Sequence, residues 1–132
     1  EKLHLFFEQI GIHKGDKIAL CAKNTARWGM SFLAGTTYEA VMVPILADFH
    51  PDSVMSLVNH SESVILFTDN EIWSKLKIAQ MPAIKAVISS TSLELLYGAT
   101  KEIEEAHKNI GQLFEAKYPQ GFTKNNIKLQ GF

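Results

Sequence analysis

Four short apolar runs alternate with stretches of helical period: KIALCA (Lys17–Ala22), VMVPIL (Val41–Leu46), VILFT (Val64–Thr68) and AVIS (Ala86–Ser89). In KIALCA the apolar side chains fall on both faces of an extended chain. Strands buried on both faces belong to parallel sheets covered by helices. Strand and helix in strict alternation require crossover connections, which keep the strands parallel. The expected fold is therefore α/β, a mostly parallel sheet of about four strands with helices on both faces, Rossmann-like or flavodoxin-like in its layering.

The helices between these strands carry their own signals. Leu3, Phe6, Phe7 and Ile10 share one face of an opening helix, and Gly11 follows where a left-handed residue is wanted. Lys14-Gly15-Asp16 is a tight turn. Asn24 or Thr25 suits the N-cap of a helix over 26–39. Pro44 cannot donate to a ladder, so the second strand is expected at a sheet edge or broken at that residue. Pro51 opens a third helix with Val54, Leu57 and Val58 as its stripe. Asp69 or Asn70 caps a short helix to about Ile78, with Ile72, Trp73 and Leu76 inward. Thr100 caps a long amphipathic helix whose stripe is Ile103, Ala106, Ile110, Leu113 and Phe114.

The helix ARWGMSFLAGTTYEA is apolar nearly all round, where a helix resting on a sheet by one side should show a polar stripe opposite. Gly29 and Gly35 each cost about 1 kcal/mol against alanine, and close approach of another element is the usual compensation. The Trp28, Phe32 and Gly35 face is therefore expected to meet a layer supplied by the remainder of a longer polypeptide, with self-association when that layer is missing. A helix fully central within this chain is the alternative.

Several chemistries lack their residues. Thirteen Lys and Arg offset fourteen Asp and Glu, which gives no electrostatic ground for a nucleic-acid partner. A dinucleotide loop needs glycines directly after a strand, and Lys23-Asn24-Thr25 has none. Gly98-Ala99-Thr100-Lys101 lacks the spacing of a P-loop. Asp48, His50 and Asp52 crowd one loop, which reads as a hydrated loop with a helix cap before it reads as a cation site. His60-Ser61-Glu62-Ser63 holds the residue types of a hydrolase triad, yet adjacency in sequence is not triad geometry, and the four read as a helix end. Lys23 and Arg27 could meet an anion, although a solvated rim is the simpler reading. Trp28 and Trp73 read as core or interface anchors. The single cysteine, Cys21, sits in a strand and is read as a buried, inert thiol. The apolar runs are too short to span a bilayer, and no charged-then-apolar leader opens the chain. The expected location is the cytoplasm, with peripheral membrane contact reserved for the intact protein.

The abrupt apolar start and the tail YPQGFTKNNIKLQGF, which has no helical period, suggest an excised piece: an α/β unit over 1–118 and an extended tail over 119–132.

GIHKGDKIAL, then Asn24, Trp28, Phe32-Leu33-Ala34 and Val43-Pro44, resembles the N-terminal region of adenylate-forming enzymes. In the acyl-CoA synthetases of that superfamily a G-I/V-x-K-G-D-x-V/I-A-L strand precedes an Asn, a Trp, a helix and a Val-Pro strand. A loop with proline and a helix follow, matched by Pro51 to Val58, and then a segment matched by Asn59-His60-Ser61 and Val64 to Phe67. The likeness covers residues 8–70 well and the rest loosely. VPILADFHPDSV and VNHSESVILFT are most similar to AMP-forming long-chain fatty acid CoA ligases, although Ala47-Asp48-Phe49 departs from the more usual Asn-Pro surroundings. The resemblance implies an intact enzyme that joins a fatty acid to ATP, releases pyrophosphate and passes the acyl group to CoA, with Mg²⁺ in attendance. It also implies that the phosphate loop, the adenine motif, the Mg²⁺ ligand and the catalytic lysine all come later in such chains, the tail leading toward the first of them. No catalytic, cofactor-binding or metal-binding residue is thus assigned here, and the piece alone is expected to be an inactive scaffold. Two rivals remain: a self-contained flavodoxin-like module with a ligand site near Lys23-Asn24-Thr25 and Asp48–Pro51, and an adenylating unit of the peptide-synthetase branch.

Overall fold

Every interior strand is buried on both faces, as the apolar runs require. The computed structural model describes residues 2–23, 26–117, 122–124 and 127–129. Helix α1 (Lys2–Gln9) leads into strand β1 (Lys17–Cys21), helix α2 (Ala26–Thr37), strand β2 (Val41–Pro44), helix α3 (Pro51–His60) and strand β3 (Ile65–Thr68). A one-turn helix α4 (Asn70–Trp73) and a 3₁₀ turn (Ile78–Gln80) lead to strand β4 (Ala86–Ser89). Strand β5 (Leu95–Gly98), helices α5 (Lys101–Lys108) and α6 (Ile110–Lys117), and strands β6 (Phe122–Lys124) and β7 (Ile127–Leu129) complete the order. The main sheet has five strands in the order β2-β1-β3-β4-β5; β2, β1, β3 and β4 are parallel, and β5 is antiparallel to β4. β6 and β7 pair antiparallel with each other.

The pleat divides the core into two clusters. Ile18, Leu20, Ile65, Phe67 and Ile88 point to the side that holds α1, α2 and α5, where Phe6 and Phe7 are buried. Ala19, Cys21, Leu66 and Val87 point to the other side, under Val54, Met55 and Val58 of α3. Of the two outcomes Pro44 allowed, the edge position is the one found: β2 is an edge strand. The N–H groups of Val41 in β2 and of Ile45 just past it donate to the carbonyls of Asp16, just before β1, and of Leu20 in β1, both at 2.9 Å, so the donor missing at Pro44 belongs to the open side.

Three helices end in the same six-residue hydrogen-bonded closure. After α1, Gly11 stands at φ +80°, while its N–H donates to Glu8 O at 3.2 Å and that of Ile12 to Phe7 O at 2.9 Å. After α2 the left-handed residue is Glu39 (φ 67°) and after α3 it is Glu62 (φ 59°), with the same pair of bonds. Only the first closure uses glycine, so only the first was legible. The left-handed closure at Glu39 ends α2 at Thr37, and with no glycine to mark it the sequence reading ran on to residue 39. His4 Nε2 donates to Ala34 O at 3.0 Å, and the Tyr38 hydroxyl donates to Ile12 O at 2.8 Å, which ties α1 and its following turn to the end of α2.

Other expectations shift. Asp69 does cap α4, its Oδ1 accepting from Ile72 N at 2.8 Å. That helix stops after one turn, where the Ser74 hydroxyl donates to Glu71 O at 2.6 Å and competes with the backbone. Thr100 caps α5 with Oγ1 accepting from Ile103 N at 3.3 Å, but the long helix breaks at Asn109 into α5 and α6. Strand β5 was not foreseen: its hairpin turns through Leu93 at φ 61°, where no glycine advertises the turn.

The environment of α2 corrects the reading of its glycines. A Cβ on Gly35 would overlap Met42 Sδ and lie 3.2 Å from Met42 Cγ and Cε, so the close approach assigned to an outside layer is made by this chain's own β2. Gly29 has nothing within 4 Å of that position. Trp28 and Phe32 stack at 5.5 Å and pack partly on the core, while Leu33 on the other side is 61% exposed.

Candidate functional site

In a doubly wound sheet, ligands bind beyond the carboxyl ends of the strands, where the chain order reverses. Here β1 lies between β2 and β3, so the reversal falls at Cys21–Lys23 and Thr68–Asp69. The β1–β3 side of that point is closed by its own polar groups. The buried Thr68 hydroxyl donates to Cys21 O at 2.7 Å, the Asp69 carboxylate is taken up as the α4 cap, and Lys23 Nζ lies 4.0 Å from Glu71. The β1–β2 side is open. A cleft of about 340 Å³ lies there between Lys23 and Trp28 on one flank and the Pro44–Asp48 segment on the other. It offers one ammonium, one carboxylate and an indole above apolar walls. That inventory can orient a ligand, but it contains no nucleophile–base pair.

Cys21 lies behind the Leu46 wall of this cleft and is not reactive. Its Sγ–H donates to Leu46 O at 3.7 Å, and the side chain is fully buried. Burial pushes the thiol up to about 11, and the nearby Asp69 charge adds to the rise. A free thiol titrates at about 8.5. From about pH 8.5 to 11 the unfolded chain therefore releases a proton that the folded chain keeps, and folding stability should fall as pH rises through that window. Urea midpoints at pH 7, 9 and 10 should show this decline in the native chain and a flatter one in Cys21→Ala. Identical slopes would mean that another group is responsible.

The other candidates from the sequence separate. His50 caps α3 with Nδ1 accepting from Asp52 N at 3.2 Å, and the Asp48–His50–Asp52 loop is exposed. Among the described residues no three His, Cys, Asp or Glu side chains are grouped to hold a metal ion. His60–Ser63 closes α3, with Ser61 Oγ and Ser63 Oγ 2.7 Å apart and Glu62 in the left-handed turn, and it forms no triad. Asn24, Thr25 and the Arg27 side chain lie outside the described residues. Lys23 and Asp48 of this cleft fall where the rival module's site was expected, whereas its Pro44–Ala47 wall and the Thr68 link were missed, although their position at the carboxyl ends of strands was the signal that could have found them.

This layering, with a parallel doubly wound sheet closed by one antiparallel strand, is that of the N-terminal subdomain of adenylate-forming enzymes. The solved long-chain-fatty-acid-CoA ligase FadD1 from Archaeoglobus fulgidus superposes with a TM-score of 0.61 at 19% identity, covering 81% of this chain and 21% of that one. The acetoacetyl-CoA synthetase from Streptomyces lividans gives 0.62 at 22% identity, covering 74% of this chain and 17% of that one. In sequence, fatty acyl-CoA synthetase A of Dictyostelium discoideum is 28% identical over 81 residues, which is 61% of this chain and 12% of the relative. The chain belongs to the AMP-binding enzyme family, whose model matches residues 2–126. It spans about an eighth of the curated relative's length.

Proposed function

We propose that this chain is the N-terminal scaffold of an AMP-forming ligase that activates long-chain fatty acids as acyl-CoA. The observation that carries this reading is the family match over residues 2–126 on a sheet whose carboxyl edge holds a cleft and, among the described residues, no phosphate loop. The sequence likeness to a fatty acyl-CoA synthetase supports the acyl class. The described residues do not suit ATP or Mg²⁺: the segment after β1 carries Lys23 without a glycine, and no group of acids stands ready for a cation. The reacting groups are thus assigned to parts of the intact protein beyond this unit, which positions them and supplies the β1–β2 cleft as a wall. The outer side of α2, at the exposed Leu33, is where we place the covering contact with the rest of the polypeptide.

The purified chain should show no ATP–pyrophosphate exchange with palmitate or any other fatty acid, whereas the intact parent should show it. Exchange by the chain alone would refute the scaffold reading. Titration with AMP, ATP and FMN covers the self-contained module, which the β2-β1-β3-β4 order shared with flavodoxin-like sheets favours. A micromolar complex there would favour the module.

A further inference from the structure

A second cavity lies away from the β1–β2 cleft and shares no residue with it. It holds about 320 Å³ between α1, the β4–β5 hairpin and the α5–α6 junction. That is the lower end of small-ligand pockets.

Its construction is amphipathic. Leu3 and Phe6 of α1, both buried, and Ile110 of α6 form an apolar floor. The break at Asn109 falls between His107 and Ile110, so the interrupted helix contributes to the wall from both sides of the interruption. His107 is fixed there: Nε2 donates to Leu93 O at 3.3 Å, and the ring stands edge-on to Phe6 at 5.6 Å. Two residues of opposite charge, the half-buried Lys2 and the exposed Glu94, lie at the rim of the same space. Lys2 Nζ sits 5.3 Å over the Phe114 ring, which steadies the ammonium without neutralising it. The backbone of Glu94 is pinned, its N–H donating to Ser92 Oγ at 3.3 Å and its carbonyl accepting from Ser89 N at 2.8 Å. Among the described residues, Lys2 and Glu94 form no ion pair with each other or with any other side chain.

An apolar floor flanked by an unpaired cation and an unpaired anion is complementary to a ligand that carries both charges on an apolar body. A fatty acid would satisfy Lys2 and be repelled by Glu94, and an amine would do the reverse. We propose that this cavity binds a small zwitterion of the class of an aliphatic α-amino acid, its carboxylate toward Lys2 and its ammonium toward Glu94. The site is independent of the ligase reading and stands or falls separately from it.

Three nearly isosteric probes test it by NMR titration of the chain: leucine, 4-methylpentanoate, which lacks the ammonium, and 3-methylbutylamine, which lacks the carboxylate. Leucine should shift the methyl signals of Leu3, Leu93 and Ile110 saturably, and each single-charge probe should bind about tenfold more weakly or worse. Lys2→Gln and Glu94→Gln alter side chains outside the core, so the fold is retained, and each should weaken leucine by about the same factor. The proposal is overturned by a single-charge probe that matches leucine, by either glutamine variant binding leucine unchanged, or by no saturable shift at those methyls with any probe.

Discussion

Replacing Phe7 by alanine should cost about 3–5 kcal/mol, the largest loss expected from any single truncation in this chain. Phe7 is 0% exposed and joins three elements. Its ring meets Tyr38 beyond α2 edge-on at 5.3 Å and Phe67 of β3 edge-on at 6.4 Å, beside Phe6 of its own helix. Alanine would remove the ring's burial and leave a cavity that the close-packed sheet beneath cannot collapse into. Domains of this kind are stable by about 5–15 kcal/mol, so the loss is a large share of the whole. The melting temperature should fall by roughly 10–20 °C. Urea unfolding followed by circular dichroism gives the free energy directly. Phe7→Leu keeps most of the volume and should cost much less. A loss below about 1 kcal/mol for Phe7→Ala would show that α1 is not docked on the sheet as described.

The second large effect is at Gly35, and its diagnostic feature is a change of sign. Gly35→Leu should destabilise by about 1–3 kcal/mol, because the new side chain must displace Met42, whose Sδ occupies the Cβ position. Gly35→Ala is more finely balanced: alanine gains about 1 kcal/mol of helix propensity, while Met42, having an adaptable side chain, yields part of the space at some cost. In a Met42→Ala background the obstruction is gone, and Gly35→Ala should become stabilising by up to about 1 kcal/mol. A double-mutant cycle measures this coupling. If Gly35→Leu is tolerated equally in both backgrounds, the contact with Met42 is not what requires glycine at this position.

The same residue shows why the candidate site was harder to read than the fold. Gly35 was legible as a close approach, but the neighbour that approaches is not encoded near it. Met42 lies on β2, on the far side of a turn, and only the packing of α2 on the sheet brings the two together. The Trp28–Phe32 pair was likewise legible as an anchor, whereas its position beside the β1–β2 cleft depends on where β2 sits in the sheet. Lys23 and Asp48 were read together as the strand ends of a rival site, but that they flank this particular cleft rests on β1 and β2 being neighbours in the sheet.

What the amino-acid order determined alone is what short-range chemistry can carry. It dictated the parallel sheet, through strands apolar on both faces, and the cap at Thr100, and it narrowed β2 to an edge or broken strand through Pro44 and the α4 cap to Asp69 or Asn70. The left-handed turns at Gly11 and Gly15 belong with these, since glycine is the residue that marks such a turn. Tertiary structure decided the rest: the strand order, the added β5 strand, the glutamates held at positive φ after α2 and α3, and the meeting of Lys2 with Glu94 at one cavity. The physical reason is distance along the chain. Caps and turns are settled by neighbours a few residues away, while strained backbones and shared cavities exist only because burial of the whole core outweighs what each segment would prefer by itself.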